Sequence, residues 1–192
     1  MKLIDAFQPQ GAAPLPEVER LQSEVRPSAH ARREAIFRLG DMPADLFFVR
    51  EGLVKLEYAT ASGQARVRDF VEEGRVFAAL ESLQEPPAPV TYTAVALEPT
   101  VLERVPLAVL MQLGQQHPAW AYRLSLLLLE TARNRAAHEQ RLLTLPALER
   151  YAAVLAQRPW LETRVRQYEL AAYIGLTPVS LSRLRSRACA SS

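Results

Sequence analysis

The stretch Arg166–Arg187, RQYELAAYIGLTPVSLSRLRSR, decides how this chain is read. It divides into two short helices around a tight turn. Leu170, Ala171, Ile174, Leu176, Leu181 and Leu184 take the inward positions, and the small Ala171 lets two helices cross closely at a steep angle. Gly175 falls where the chain must reverse, and glycine accepts the left-handed backbone that ends a helix. Thr177 is placed to cap the second helix, and Pro178 follows at its first position, where a missing N–H costs nothing. Val179, Ser180, Ser182, Arg183, Ser186 and Arg187 are then left on polar faces. Short uncharged side chains ahead of arginines suit a helix entering a major groove. The pattern is that of a helix-turn-helix; the alternative is an αα-corner that only packs.

Charge supports the first alternative. From residue 146 to 192 there are seven Arg (150, 158, 164, 166, 183, 185, 187) and three Glu (149, 162, 169), a net of +4. The whole chain carries +2, so the first 145 residues sum to −2. Only one end is suited to a polyanion.

Upstream, residues 119–145 contain neither Pro nor Gly and read as one helix, about 40 Å long at ~1.5 Å per residue. Pro146 ends or bends it. Leu124, Leu128, Thr131, Arg135, His138, Leu142 and Leu145 recur at alternating spacings of four and three, a heptad ladder. Leu128, Ala132, Ala136 and Leu143 form a competing stripe. The leucine-rich first half is apolar almost all round and needs cover on two sides. It is either a core helix of one subunit or a dimer seam; the ladder favours the seam. A shorter helix, Leu107–Gln116, precedes it.

Between Glu34 and Val105 the pattern is short apolar runs: 35–39, 46–49, 53–58, 67–71, 91–97 and 101–105. Turn pairs separate them: Gly40-Asp41, Glu51-Gly52, Ser62-Gly63 and Glu73-Gly74. Val54, Leu56 and Tyr58 alternate with Lys55 and Glu57, the period of a half-buried strand. Ser62-Gly63 is a plausible hairpin turn. Regularly spaced short strands imply a sandwich, barrel or jelly roll. Residues 1–30, with Pro9, Pro14, Pro16 and Pro27, read as a lead-in with one short helix near Leu15–Gln22.

The 192 residues, 49% hydrophobic and 23% charged, suffice for a core without disulfides or metal. The one cysteine, Cys189, excludes an intramolecular disulfide and a cysteine-held iron–sulfur cluster, and reads as a tail thiol. The expected order is therefore an α+β chain. It has a lead-in at 1–30, an antiparallel β-roll (jelly-roll-like) at 31–115, a long helix at 116–145 and a helix-turn-helix domain at 146–192. Only Ala188–Ser192 follow the motif, so little or no C-terminal wing is expected. With no apolar leader and no run long enough to span a bilayer, the expected location is the cytoplasm.

A β-roll, a long helix and a C-terminal helix-turn-helix resemble the bacterial Crp/Fnr-type transcription regulators. FRLGDMPADLFFVREGLVKLEYATASGQARVRDFVEEG (37–74) is similar to the first half of their cyclic-nucleotide-binding roll, with Gly40, Gly52, Gly63 and Gly74 at turns. IGLTPVSLSRLR (174–185) resembles their recognition segment, glycine, apolar, threonine, then Leu-Ser-Arg. The resemblance implies a homodimeric regulator of transcription, not an enzyme, with no cofactor. Its partners would be double-stranded DNA, a second copy and RNA polymerase. It places Arg164, Arg166, Gln167, Thr177, Val179, Ser180, Ser182, Arg183, Arg185 and Arg187 at DNA, Arg183 matching the arginine that reaches a base edge or phosphate. It places Leu124, Leu128, Thr131, Arg135, His138 and Leu142 at the dimer seam.

One segment departs from that pattern. Nucleotide-binding members carry Gly-Glu-Leu and then Arg-Ser/Thr around a short phosphate-binding helix. In VFAALESLQEPPAPVTYTA (76–94), Ala78-Ala79-Leu80 and Val90-Thr91 take those places. Ala79, Glu81, Val90 and Thr91 are left as the pocket wall, Glu81 replacing the glutamate only by a two-residue shift. No arginine lies between Arg75 and Arg104. A buried phosphate without a cation is costly, so cyclic AMP or GMP is not the expected effector. A haem would find His117 as its one nearby ligand. A jelly-roll metal enzyme would want clustered histidines, and none lies between His30 and His117. A roll that binds a ligand or protein and has lost DNA binding is the remaining alternative.

Overall fold

The computed structural model describes residues 1–9, 11–60, 65–84 and 86–190, without the side chains of Ser82 and 187–190. The expected Ser62-Gly63 turn, with Gly63, lies outside the described residues, as do the side chains of Arg187 and Cys189. The chain divides into two compact units. The first is Met1–Tyr58 with Asp69–Glu130; the second is Ala59–Arg68 with Thr131–Ser192.

Two short helices, α1 (Leu3–Phe7) and α2 (Val18–Glu24), lead into the strands. These are β1 (Arg26–His30), β2 (Ala35–Phe37), β3 (Asp45–Glu51), β4 (Val54–Ala59), β5 (Ala65–Val71), β6 (Val76–Ala78), β7 (Thr93–Ala96) and β8 (Thr100–Pro106). A single 3-10 turn, Leu80–Leu83, sits between β6 and β7. The strands form two four-stranded sheets, β1-β8-β3-β6 and β2-β7-β4-β5. Strand alternation sends Phe47, Val49 and Leu102 between the sheets, where they meet Phe37, Val54, Leu56, Phe77, Tyr92 and Ala94. Four rings dominate this core: Phe47 stacks on Phe77 at 5.0 Å, and Phe37 meets Tyr92 edge-on at 5.3 Å. Gly52, φ +96°, packs so closely on the Pro99 and Thr100 backbone that a Cβ would lie 2.7 Å from the Pro99 carbonyl oxygen.

The structure refines two local expectations and gives His117 a partner. Lys55, expected in solvent, is buried, its ammonium 2.8 Å from Glu57; the long stem adds apolar cover while the charge is neutralised. The segment expected as a lead-in is built into the core. Leu3, Phe7 and Leu21 are buried with Phe48, Val105, Leu110, Leu113 and Trp120, and the Trp120 indole N–H donates to the Pro16 carbonyl at 2.7 Å. Its last residues form β1, which pairs with β8 from Arg26↔Arg104 to His30↔Thr100. His117, considered as a haem ligand, pairs with Glu17 at 2.8 Å.

The helices after β8 are α3 (Leu107–Gln116), α4 (Pro118–Thr144), α5 (Ala147–Gln157), α6 (Leu161–Arg164), α7 (Gln167–Tyr173) and α8 (Pro178–Ala190). Helix α4 has 27 residues, and Pro146 separates it from α5. The second unit is cored by Tyr151, Val154, Leu161, Val165, Leu170, Ala171, Tyr173, Ile174 and Leu181.

A candidate nucleic-acid interface

The turn between α7 and α8 is built as the sequence predicts. The Leu176 N–H donates to the Ala171 carbonyl at 2.8 Å, reaching back over Gly175, whose φ is +71°. This is the Schellman closure, which needs a residue at ease in the left-handed region. Thr177 then caps α8: its Oγ1 accepts from the Ser180 N–H at 3.1 Å and lies 2.8 Å from the Ser180 hydroxyl. At the start of α7, the buried Glu169 carboxylate accepts from the Arg166 N–H at 3.2 Å. Ala171, fully buried, sits in the α7–α8 packing, and Leu181 inserts from α8. Leu176 and Leu184 are half-buried at the border.

With Leu181 and Leu184 inward, the opposite face of α8 carries Val179, Ser182, Arg183 and Ser186, flanked by Ser180, all exposed. Val179 is 60% exposed, an apolar side chain with nothing of its own unit over it. Arg166, Gln167 and Thr177 are exposed at the helix starts. The two remaining described arginines are held. Arg164 lies over the Trp160 ring at 5.5 Å, and Arg185 is 3.9 Å from Glu162, which also accepts the Tyr151 hydroxyl. Val179, Ser182, Arg183 and Ser186 thus share one face of α8, while Arg164 and Arg185 have intramolecular partners that sequence spacing did not disclose.

Helix α4 shows which of its faces is open. Leu124 and Leu127 pack on the core around Trp120. His138 stacks on Tyr173 at 4.2 Å and 8°, and the Leu142 side chain lies against Gly175. The expected ladder therefore runs along the margin of a face already used: Leu124, His138 and Leu142 are half-buried, whereas Leu128, Thr131 and Arg135 are exposed. The competing stripe is the open one. Leu128 is 51% exposed and Leu143 77%, with Ala132 and Ala136 exposed between them, and Leu129 beside the stripe is 54% exposed.

In the roll, the 3-10 turn stands where the resemblance puts a phosphate-binding helix. Ala79 and Val90 are buried, and the Thr91 hydroxyl donates to Glu81 at 3.1 Å. The Tyr92 hydroxyl donates to the Ala78 carbonyl at 2.8 Å. Among the described residues, no group of three His, Cys, Asp or Glu side chains could hold a metal, and no helix is long and apolar enough to cross a membrane.

Residues 29–117 match the family model of the cyclic nucleotide-binding domain. The two-sheet roll, long helix and C-terminal helix pair together form the fold of the Crp/Fnr regulators. FixK2 from Bradyrhizobium japonicum is similar at 20% identity and TM-score 0.73, over 85% of this chain and 83% of its own. The c-di-GMP responsive global regulator CLP of Xanthomonas campestris is similar at 19% and 0.72, over 91% of each chain. The catabolite activator protein of Thermus thermophilus is similar at 26% and 0.56, over 95% and 86%. Comparison with curated proteins finds no match.

Proposed function

We propose that this chain is a transcription regulator that binds DNA in a sequence-specific manner as a homodimer, reading a palindromic site through α8. The observation that carries the reading is the outward face of that helix. A capped, glycine-terminated turn fixes it, and it presents Val179, Ser180, Ser182 and Arg183 to solvent. Val179 suits a thymine methyl, Ser180 and Ser182 suit either donors or acceptors, and Arg183 suits the two acceptors of guanine. Arg166 and Gln167, with Arg164, Arg185 and Arg187 flanking, supply phosphate contacts that position without specifying. The second copy packs on the open stripe of α4, where Leu128, Leu129 and Leu143 are exposed together. RNA polymerase is the further partner this role implies.

The same reading does not take cyclic AMP or cyclic GMP as the effector. Glu81 and Thr91, the groups left to meet a ribose phosphate, satisfy each other. Beside Ala79 and Val90 the space between the sheets is filled by Phe37, Phe47, Phe77 and Tyr92. No cation stands between Arg75 and Arg104 to offset a buried phosphate.

The test is a gel-shift comparison of wild type and Arg183→Ala on a selected duplex and on random DNA. A lost base contact weakens specific binding by about 1–3 kcal/mol and relaxes preference at one position. Equal weakening on both duplexes makes Arg183 a phosphate contact, and no binding of either by wild type overturns the reading in favour of a roll that binds only small molecules or protein.

A further inference from the structure

A cleft of about 530 Å³ opens between the two sheets along the β1–β2 edge. It lies within the first unit and shares no residue with the Ala79, Glu81, Val90, Thr91 wall. Its floor is apolar: Ile36, Phe37, Pro43 and Phe47. Phe37 and Phe47 are the outer rings of the aromatic core, 5.8 Å apart. At its mouth Met42 is 55% exposed, an apolar side chain left over an opening.

The polar rim is fixed by bonds within the rim. Strand alternation and the Ser28↔Leu102 register turn Ser28, His30, Asp45 and Arg104 inward, toward the space between the sheets. His30 Nε2 is 3.1 Å from the Ser28 hydroxyl and His30 Nδ1 is 3.2 Å from Glu34. The Glu34 carboxylate is itself anchored by the Ala31 N–H at 2.7 Å, so the ring is held from both sides. Arg104 donates to Asp45 at 3.3 Å. Asp41 takes the Arg38 N–H at 2.7 Å with one oxygen, on the lip of the cleft.

The charges decide what fits. Two carboxylates, Asp41 and Asp45, line the cleft against one guanidinium, Arg104, already engaged by Asp45. Glu34 adds a third negative charge behind His30. An anion entering here meets a cation that has a partner and a carboxylate that repels it. A protonated amine meets carboxylate acceptors, with an apolar floor deep enough for a ring.

We infer that this cleft is a binding site for a small amphipathic amine, an aromatic or aliphatic body lying on Phe37 and Phe47 with its ammonium at Asp41 and Asp45. The inference goes beyond the DNA reading and does not depend on it, because its readout is occupancy of the roll.

The test titrates the full chain with three probes of one size, phenethylamine, 2-phenylethanol and 3-phenylpropanoate, by calorimetry and amide chemical-shift mapping. Phenethylamine is expected to bind saturably, with shifts centred on β1, β2, residues 38–47 and Arg104. The alcohol and the acid should bind at least about tenfold more weakly, the equivalent of ~1.4 kcal/mol. Asp41→Asn keeps an acceptor for the Arg38 N–H and should weaken the amine by about tenfold. Asp45→Asn should do the same and, by releasing Arg104, bring the acid up to or past the amine. A thermal melt of each variant confirms that it folds. Equal affinity for all three probes, shifts centred on residues 78–92, or no saturable amine binding overturns the inference. Each of these leaves DNA binding, measured separately, where it stands.

Discussion

Gly175 is the residue on which the reading face turns. Its φ of +71° is where an L side chain is strained, and a Cβ there would sit 3.2 Å from a Leu142 methyl. Gly175→Ala is therefore expected to destabilise the second unit by about 1–2 kcal/mol, seen as a lower urea midpoint for the full chain; an unchanged midpoint would mean the turn is looser than described. Glu34 allows a second check at this scale. The Ala31 N–H, and after it His30, holds its carboxyl below the ordinary value of 4.5. A depressed folded-state value gives stability that is present above the ordinary carboxylate range and lost as pH falls through it. Glu34→Gln should remove that slope, so that wild type and variant converge in stability on acidification, and a gap that widens instead contradicts the bonding described. The turn at 174–178 was legible because glycine, threonine and proline each do one local job there. The Arg185–Glu162 and Arg164–Trp160 contacts were not, because they join α8 to α6, and α6 to the residue before it, through packing that spacing alone does not encode.

Among the elements, the strands with clean apolar runs between glycine turns appear within a residue or two of their expected places: β3, β4, β5 and β8. Helices α3 and α4 do the same. Two strands were illegible for opposite reasons. β6 is three residues long, too short for any period to show. β1, RPSAH, carries Pro27 and reads as loop, yet as an edge strand it can leave one position without a donor. Helix α4 shows the limit of periodicity most sharply. A heptad ladder through Leu124, Leu128, Thr131, Arg135, His138 and Leu142 and a stripe through Leu128, Ala132, Ala136 and Leu143 were both on its surface. Tertiary packing half-buries Leu124, His138 and Leu142 and leaves Leu128, which both share, exposed with Leu143. This yields a discriminating pair of variants. Leu129→Glu is expected to convert a dimer to a monomer in sedimentation with little change in folding, since its side chain is 54% exposed. Leu142→Ala is expected to lower stability, by up to the ~2–5 kcal/mol range of buried leucine truncations, because it removes packing against the turn. Reversed outcomes would put the seam back on the heptad ladder.

For the molecule as a whole, the basic excess of +4 in residues 146–192 on a chain of net +2 makes that end the one suited to the proposed DNA binding. Its affinity for duplex should then fall steeply with salt through counterion release. Sequence preference is a separate matter: under the proposed function it is set by how two α8 helices are spaced when two copies pair along α4. The most direct measurement is selection of duplexes bound by the full chain from a random pool, followed by sequencing. The expected result is an inverted repeat with half-sites about 10–10.5 bp apart, in which Arg183→Ala blurs one symmetric pair of positions. Enrichment of a single unrepeated motif would contradict the twofold arrangement, and no enrichment at all would contradict the claim that α8 reads DNA.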